Sequence, residues 1–293
     1  MNPSTPAQKP VTLLQLSSMK RKQEPIAMMT AYDYPSAQLA EAAGVDVILV
    51  GDSVGNVVQG RETTLPVTIE QMIYHAEMVS RAVHHPFVIA DLPFATYHGS
   101  EDYILHHVSR MIRDGGVKAV KMEGGEEIIP AIHVAIKAGI PVMGHIGLMP
   151  QSVHKVGGYK VQGRESGMAN KLLEEALKLE AAGVFAIVLE LVTDEVAALI
   201  TERLSIPTIG IGSGHRCDGQ VLVFHDLINY QLTPRPKKFV KNYADVGSLI
   251  KQAIGDYVAD VKSRAFPADA HTFHVNGASD LDHLYGRGDS QRS

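Results

Sequence analysis

Short apolar runs rich in Val and Ile alternate along this chain with longer segments in which apolar residues recur every three or four positions. The runs are IAMMT, VDVILV, FVIA, VKAVKM, PVMGHI, FAIVLE, IPTIGIG and QVLVF. Strand-like runs separated by segments of helical period are the pattern of βαβ units wound around a parallel sheet. Four of the runs are introduced by a helix end carrying glycine, in EAAGVDVILV, IRDGGVKAVK, IKAGIPVMG and EAAGVFAIVLE. Glycine there serves as the helix C-cap, and the recurrence marks one repeated unit.

Two helices can be read closely. In TLPVTIEQMIYHAEMVSRAV, Thr68 stands three residues before Gln71, the spacing of a capping box. Ile69, Met72, Ile73, Ala76, Val79 and Val83 then fall on one stripe, which predicts a helix packed against the sheet. GMANKLLEEALKLEAAG repeats the logic with Leu172, Leu173, Ala176 and Leu179, and closes at Gly183. Eight strand-like runs, at a spacing near the ~30 residues per unit of a ~250-residue barrel, favour an α/β fold of (β/α)8 TIM-barrel type over an open doubly wound sheet. The polar stretches 1–10 and 275–293 read as loose tails. No Pro/Ser linker divides residues 11–274, which predicts a single domain.

Composition narrows the partners. The 293 residues are 45% hydrophobic and 20% charged, enough to bury a large core, and the net charge of -5 comes without a long run of one sign. A nucleic-acid surface is therefore not expected, and a small-molecule partner is. The single cysteine, Cys217, excludes an internal disulfide and a Cys-rich zinc site and fits a reducing cytoplasm. With no leader-like start and no apolar run of ~18 residues, the expectation is a soluble cytoplasmic protein without membrane contact.

Catalytic groups of such barrels sit where the strands finish. In DVILVGDSVGN the apolar stretch runs straight into Asp52 and Ser53, and other runs end in the same manner. Asp91 follows FVIA, Lys121 and Glu123 close VKAVKM, His145 closes PVMG, and Glu190 closes FAIVL. Lys121 and Glu123 are two apart, so on a strand they share a face. Asp52, Asp91 and Glu123 gathered without a cation would repel, whereas a hard divalent ion removes the conflict, which points to Mg2+. An acid at a strand end also serves to cap the next helix or to bind loop amides; three neighbouring strands ending so point to a site. Glu190 is a candidate general base, with a salt bridge as its alternative role. His145 is a candidate donor to a substrate oxygen or a satisfied core histidine. GIGSG, residues 210–214, could meet an anion with bare amides or could be an ordinary turn. His84, His85, His106 and His107 are given no chemistry, and Cys217 reads as a packed thiol.

The stretches MTAYDYPSAQLAEAAGVDVILVGDSVGNVVQGRETTLPVT, ADLPF, KMEGG, GHIGLMPQSV, LELV, GIGSG and CDGQVLVFHD, in this order, resemble the ketopantoate (3-methyl-2-oxobutanoate) hydroxymethyltransferase family. The likeness extends from about Thr12 to FPADAHTFH at residues 266–274. It implies a barrel of the phosphoenolpyruvate/pyruvate superfamily. It also implies that Asp52, Asp91 and Glu123 surround Mg2+, and that Asp52, Ser53, Asp91 and Lys121 hold the 2-oxo acid with His145 beside it. Glu190 is then the proton acceptor. The implied reaction moves a hydroxymethyl group from methylenetetrahydrofolate to 3-methyl-2-oxobutanoate, giving 2-dehydropantoate and tetrahydrofolate in pantothenate biosynthesis. The implied assembly is a decamer, a dimer of pentamers. The sequence departs from the family pattern at GDSVGN, at Ser213 and at LELVT, and Asn56 and Thr193 are expected close to the site. A carbon-carbon lyase or phosphomutase of the same superfamily, or a non-catalytic barrel that senses a metal and a 2-oxo acid, are the alternative readings.

Overall fold

The computed structural model describes residues 9–152, 161–232 and 237–274. The tails expected at 1–10 and 275–293 lie outside these residues, except for Lys9 and Pro10. Every apolar run forms a strand: β1 Ile26–Thr30, β2 Val47–Val50, β3 Phe87–Asp91, β4 Ala119–Glu123, β5 Val142–Gly147, β6 Ala186–Glu190, β7 Thr208–Ile211 and β8 Gly219–Leu222. Each pairs in parallel with its neighbours in sequence, and β8 returns to β1 through Ile26 opposite Gly219. The sheet is therefore a closed eight-stranded barrel, as the alternation of runs and helical segments predicts.

Helices stand between the strands, among them Tyr34–Ala42, Ile69–Ala82, Glu101–Arg113, Ile129–Lys137, Ser166–Ala181 and Asp194–Arg203. The Thr68 hydroxyl accepts from the Gln71 amide at 3.3 Å while the Gln71 side chain accepts from the Thr68 amide at 3.0 Å, completing the capping box. Ile69, Met72, Ala76 and Val79 are buried along the expected stripe. Val83 is buried too, but the helix has ended at Ala82 and Val83 is already extended. Leu172, Ala176 and Leu179 form the buried face of Ser166–Ala181. Gly44, Gly116, Gly139 and Gly183, the four helix-ending glycines, all have positive φ, the left-handed conformation that ends a helix at lowest cost with no Cβ.

Alternate residues of a strand face opposite sides of the sheet, and the core divides accordingly. Ile48, Val88, Val120, Ile187 and Leu189 pack outward with the helices. Met28, Val47, Leu49, Phe87, Ile89, Ala119, Met143, Val188, Ile209 and Val221 fill the barrel interior. Val11 and Leu16 join that interior cluster. The N-terminal helix Leu13–Lys22 thus covers the end of the barrel where strands begin, fastened by Lys20 Nζ to Asp218 Oδ2 at 2.7 Å just before β8.

By internal contacts the chain falls into two compact units, Met1–Ala244 and Asp245–Ser293. The first contains the whole barrel. Residues 245–274, assigned by the sequence pattern to the barrel domain, belong to the second. That unit is built on the helix Val246–Ser263, whose Leu249, Ile254, Tyr257 and Val261 are exposed in the single chain. Among the described residues no helix is long and apolar enough to cross a membrane.

Candidate active site

The interior period of two runs on past the apolar plug into ionisable residues. Asp91 lies two residues beyond Ile89, Lys121 and Glu123 two and four beyond Ala119, His145 two beyond Met143, and Glu190 two beyond Val188. The side chains that fill the barrel below therefore become charged at its C-terminal mouth, and register sets who meets whom. Asp91 is opposite Lys121 and Glu123 is opposite His145. All of them, with Asp52, Ser53 and Glu190, line one cavity of about 540 Å3.

Lys121 Nζ stands 2.9 Å from Asp91 Oδ1, an ion pair without a hydrogen bond of good angle at that oxygen. It also stands 3.1 Å from His145 Nδ1. An ammonium only donates, so His145 Nδ1 accepts and the ring proton is assigned to Nε2. Nε2 is buried without a hydrogen bond of good geometry, with Glu190 Oε2 3.4 Å away. The Asp52 amide donates to Asp91 Oδ2 at 3.0 Å. A Cβ at Gly51 would lie 2.7 Å from Ser53 Oγ, so glycine is what lets the turn after β2 fold this tightly beneath the site. Ser53 Oγ shares a 2.8 Å hydrogen bond with Tyr32 Oη.

Gln151, in the 3-10 turn Pro150–Ser152 after β5, joins two of the acids. Its amide N–H donates to Glu123 Oε1 at 2.5 Å, and its side-chain Nε2 donates to Asp52 Oδ2 at 2.9 Å and to the Leu92 carbonyl at 3.0 Å. Tyr97 Oη completes the clamp, 2.7 Å from Gln151 Oε1 and 3.1 Å from the Glu123 carbonyl oxygen. Sequence reasoning misses Gln151, Tyr97 and Tyr32. Gln151 and Tyr32 lie in stretches that carry the family resemblance, but neutral side chains show no charge pattern to single them out.

Burial, with the Asp91 charge beside it, pushes the Asp52 carboxyl up to about 7, although Lys121 and Gln151 oppose the shift. Burial and Asp52 raise Glu123 well above the ordinary carboxylate range. Burial disfavours the Lys121 charge, yet Asp91, Glu123 and Asp52 together outweigh it and hold the lysine protonated. Burial and the Lys121 charge lower His145, which keeps the imidazole neutral. The mouth of the barrel thus gathers more negative charge than one lysine can balance.

A hard cation fits that deficit of positive charge, because Mg2+ takes oxygen ligands and is usually held by one or two carboxylates with substrate oxygens and water. Among the described residues, no three His, Cys, Asp or Glu side chains stand close enough as placed to hold one ion between them. Asp52, Asp91 and Glu123 share the cavity, with Gln151 between Asp52 and Glu123.

Other residues singled out by sequence serve the frame. Ser213 Oγ donates to the Leu189 carbonyl at 2.7 Å and accepts from the Val192 amide at 3.0 Å, bracing the backbone on both sides of Glu190. Asn56 lines the cavity. Thr193, expected close by, is not among the lining residues, and its hydroxyl donates to the Gly163 carbonyl. Burial raises the Cys217 thiol, which suits packing rather than nucleophilic chemistry. His107 bonds the Tyr103 carbonyl within its own helix, and His85 bonds the Lys9 carbonyl.

Known proteins share both architecture and sequence. A solved phosphonopyruvate hydrolase, in complex with oxalate and Mg2+, superposes with a TM-score of 0.58 at 13% identity, covering 94% of this chain and 95% of its own. A 2,3-dimethylmalate lyase, described as a member of the PEP mutase/isocitrate lyase superfamily, gives a TM-score of 0.53 at 16% identity over 94% of both chains. These likenesses establish the fold. The 3-methyl-2-oxobutanoate hydroxymethyltransferase of Carboxydothermus hydrogenoformans is 53% identical over 90% of this chain and 95% of its own length. The protein of that name from Anaeromyxobacter dehalogenans is 50% identical over 91% of this chain and 88% of its own. Residues 10–269, which include the entire barrel and every ionisable group at its mouth, match the profile described as Ketopantoate hydroxymethyltransferase, and it is to this family that the chain belongs.

Proposed function

We propose that this chain performs the hydroxymethyl transfer of its family by enolising 3-methyl-2-oxobutanoate with Glu190 as the base, then presenting the carbon nucleophile to methylenetetrahydrofolate. Every group this reading uses lies in the barrel unit that ends at Ala244, and Asp52, Asp91 and Glu123 are the residues that would hold Mg2+. When bound, Mg2+ supplies Lewis-acid polarisation of the keto group and so acidifies the C3 hydrogen.

The chain's own groups divide the remaining work. Lys121, held protonated by the surrounding acids, balances the substrate carboxylate. Ser53, tethered to Tyr32, and the Asp52 and Asp91 carboxylates fix the acid at the cavity floor. Glu190 takes the C3 proton. Neutral His145 keeps its Nε2 proton in the cavity, where a donor stabilises charge that develops on oxygen in the transition state. Gln151 stiffens the arrangement by holding Asp52 and Glu123 in one orientation. The products are 2-dehydropantoate and tetrahydrofolate.

The observation that carries this reading is the place of Glu190. A sensor of a metal and a 2-oxo acid needs no carboxylate at the inner end of β6, across from His145. Glu190→Gln is expected to bind 3-methyl-2-oxobutanoate normally while C3 hydrogen exchange into deuterium oxide, without folate, falls by roughly 10²–10⁴. Normal exchange in that variant would remove Glu190 from the role. Cytoplasmic location accords with a single unpaired cysteine, and the decamer is carried by the family resemblance; sedimentation of the full chain tests the assembly.

A further inference from the structure

We propose that the outer half of the cavity is the folate subsite, with the Phe239 ring as the platform for the pteridine and the Asp226 carboxylate as the acceptor for its amino edge. The inference rests on the hydroxymethyl transfer above and assigns its second substrate to particular residues.

A cavity of about 540 Å3 falls in the ~300–1,000 Å3 class that encloses drug-sized ligands, far more than a five-carbon acid fills. The acid occupies the floor, among groups carried by β2 to β6. What remains is walled by Val57, Leu191, Val223, Asp226, Lys237 and Phe239. Five carboxylates line the whole cavity: Asp52, Asp91, Glu123, Glu190 and Asp226. The function proposed above gives the cation to three of them and the proton to one, which leaves Asp226 without a task in the chemistry.

Asp226 suits a donor-rich edge. One of its oxygens, Oδ2, receives Lys237 Nζ at 2.7 Å, and the side chain is 22% exposed. The lysine engages that one oxygen, and a second oxygen is left to accept. The 2-amino-4-oxopteridine edge of a folate offers two adjacent N–H donors, which a carboxylate matches in the same bidentate manner as it matches a guanidinium. Its heteroaromatic plane needs a flat apolar partner. Among the described lining residues Phe239 is the one aromatic hydrocarbon ring. Gly212 fixes its position: a Cβ there would lie 3.1 Å from Phe239 Cγ and 2.7 Å from Leu191 Cδ2. The GIGSG turn therefore uses its glycine to seat a ring beside the residue that follows Glu190, where the one-carbon unit has to arrive. Stacking on such a ring is tolerant of ring identity and contributes roughly tenfold or more in affinity.

The test uses the full chain and three variants: Phe239→Ala, Phe239→Leu, which keeps an apolar side chain against Gly212, and Asp226→Asn. Three quantities are read: tetrahydrofolate affinity by calorimetry, KM for methylenetetrahydrofolate, and C3 hydrogen exchange of the keto acid without folate. Expected is a loss of folate affinity and a rise in folate KM of roughly tenfold or more in each variant, with exchange, a step that involves no folate, within twofold of the unaltered chain. Unchanged folate affinity beside normal exchange would overturn the subsite alone. Equal loss of exchange and folate affinity in all three would mean that these residues hold the rim rather than the ligand, and would overturn it too. Absence of exchange in the unaltered chain would instead overturn the enolising reading on which the subsite rests.

Discussion

The two ends of this barrel each carry a Lys–Asp pair, half-buried where the strands begin and buried where they finish, and the pairs could hardly differ more in their surroundings. At the end where strands begin, Asp218 Oδ2 accepts from Lys20 Nζ at 2.7 Å, from the Thr208 amide at 2.8 Å and from the Thr208 hydroxyl at 3.2 Å, and Lys20 also donates to the Thr201 carbonyl at 3.0 Å. At the end where strands finish, Lys121 and Asp91 sit 2.9 Å apart among Asp52, Glu123 and Glu190, with His145 Nε2 lacking a well-formed hydrogen bond. A pair whose remaining valences are filled is a fastening. One that stands in an excess of acid, with polar atoms under-bonded, is poised to receive something else.

Exchanging each lysine for methionine should separate the two roles. Removing one partner of a buried ion pair costs about 3–5 kcal/mol. For Lys121→Met that loss should appear as a fall in kcat/KM for 3-methyl-2-oxobutanoate of roughly 10²–10³-fold, since substrate and transition state lose their counter-charge. For Lys20→Met, whose pair is only half-buried, the loss should be smaller and should appear as a lower midpoint in urea, about 1.5–3 kcal/mol of stability, with kcat/KM within twofold at a temperature where the variant is folded. Equal losses of activity from the two variants would erase the distinction.

Gln151→Ala sharpens the same contrast from the side of the acids. It removes the donor to Asp52 while leaving every ionisable group in place. Partners that orient ligating groups are typically worth 10–100-fold in metal affinity, so Mn2+ binding followed by electron paramagnetic resonance should weaken about tenfold. Unaltered Mn2+ binding would make the clamp a feature of packing only.

A smaller effect lies in pH. The Asp52 carboxyl titrates at about 7 in the folded chain and near ~3.9 when unfolded, so between those values the folded chain holds the extra proton. Rising pH therefore lowers metal-free stability across that window. Saturating Mg2+ would favour the ionised acids and reverse the trend. The melting temperature in EDTA should fall from pH 5 to 7 more steeply in the unaltered chain than in Asp52→Asn. Matching slopes would show that Asp52 is not the group responsible.

Much of this was open to reading in the chain itself. Asp91, Lys121, Glu123, His145 and Glu190 are each an inward position at the end of a strand, and a period of two marks such positions without coordinates. The helix-ending glycines announced the repeat for a similarly local reason: a left-handed residue is a property of one backbone position. Val83 shows where this fails, since an apolar residue that fits the helical stripe is equally well buried just after the helix has stopped. Gln151 shows a second failure, because an uncharged amide in a short turn gives no periodic or electrostatic signal.

Alternation along the chain, then, was sufficient to predict eight parallel strands and the strand ends at which ionisable groups collect, because side-chain direction within a strand is a local matter. Only the tertiary structure decided which of those groups touch. Asp91 meets Lys121 across strand register, Gln151 reaches Asp52 from a turn 99 residues away, and Lys20 finds Asp218 across 198 residues. Distances of that kind are set by how the barrel closes, and closure is a property of all the strands together.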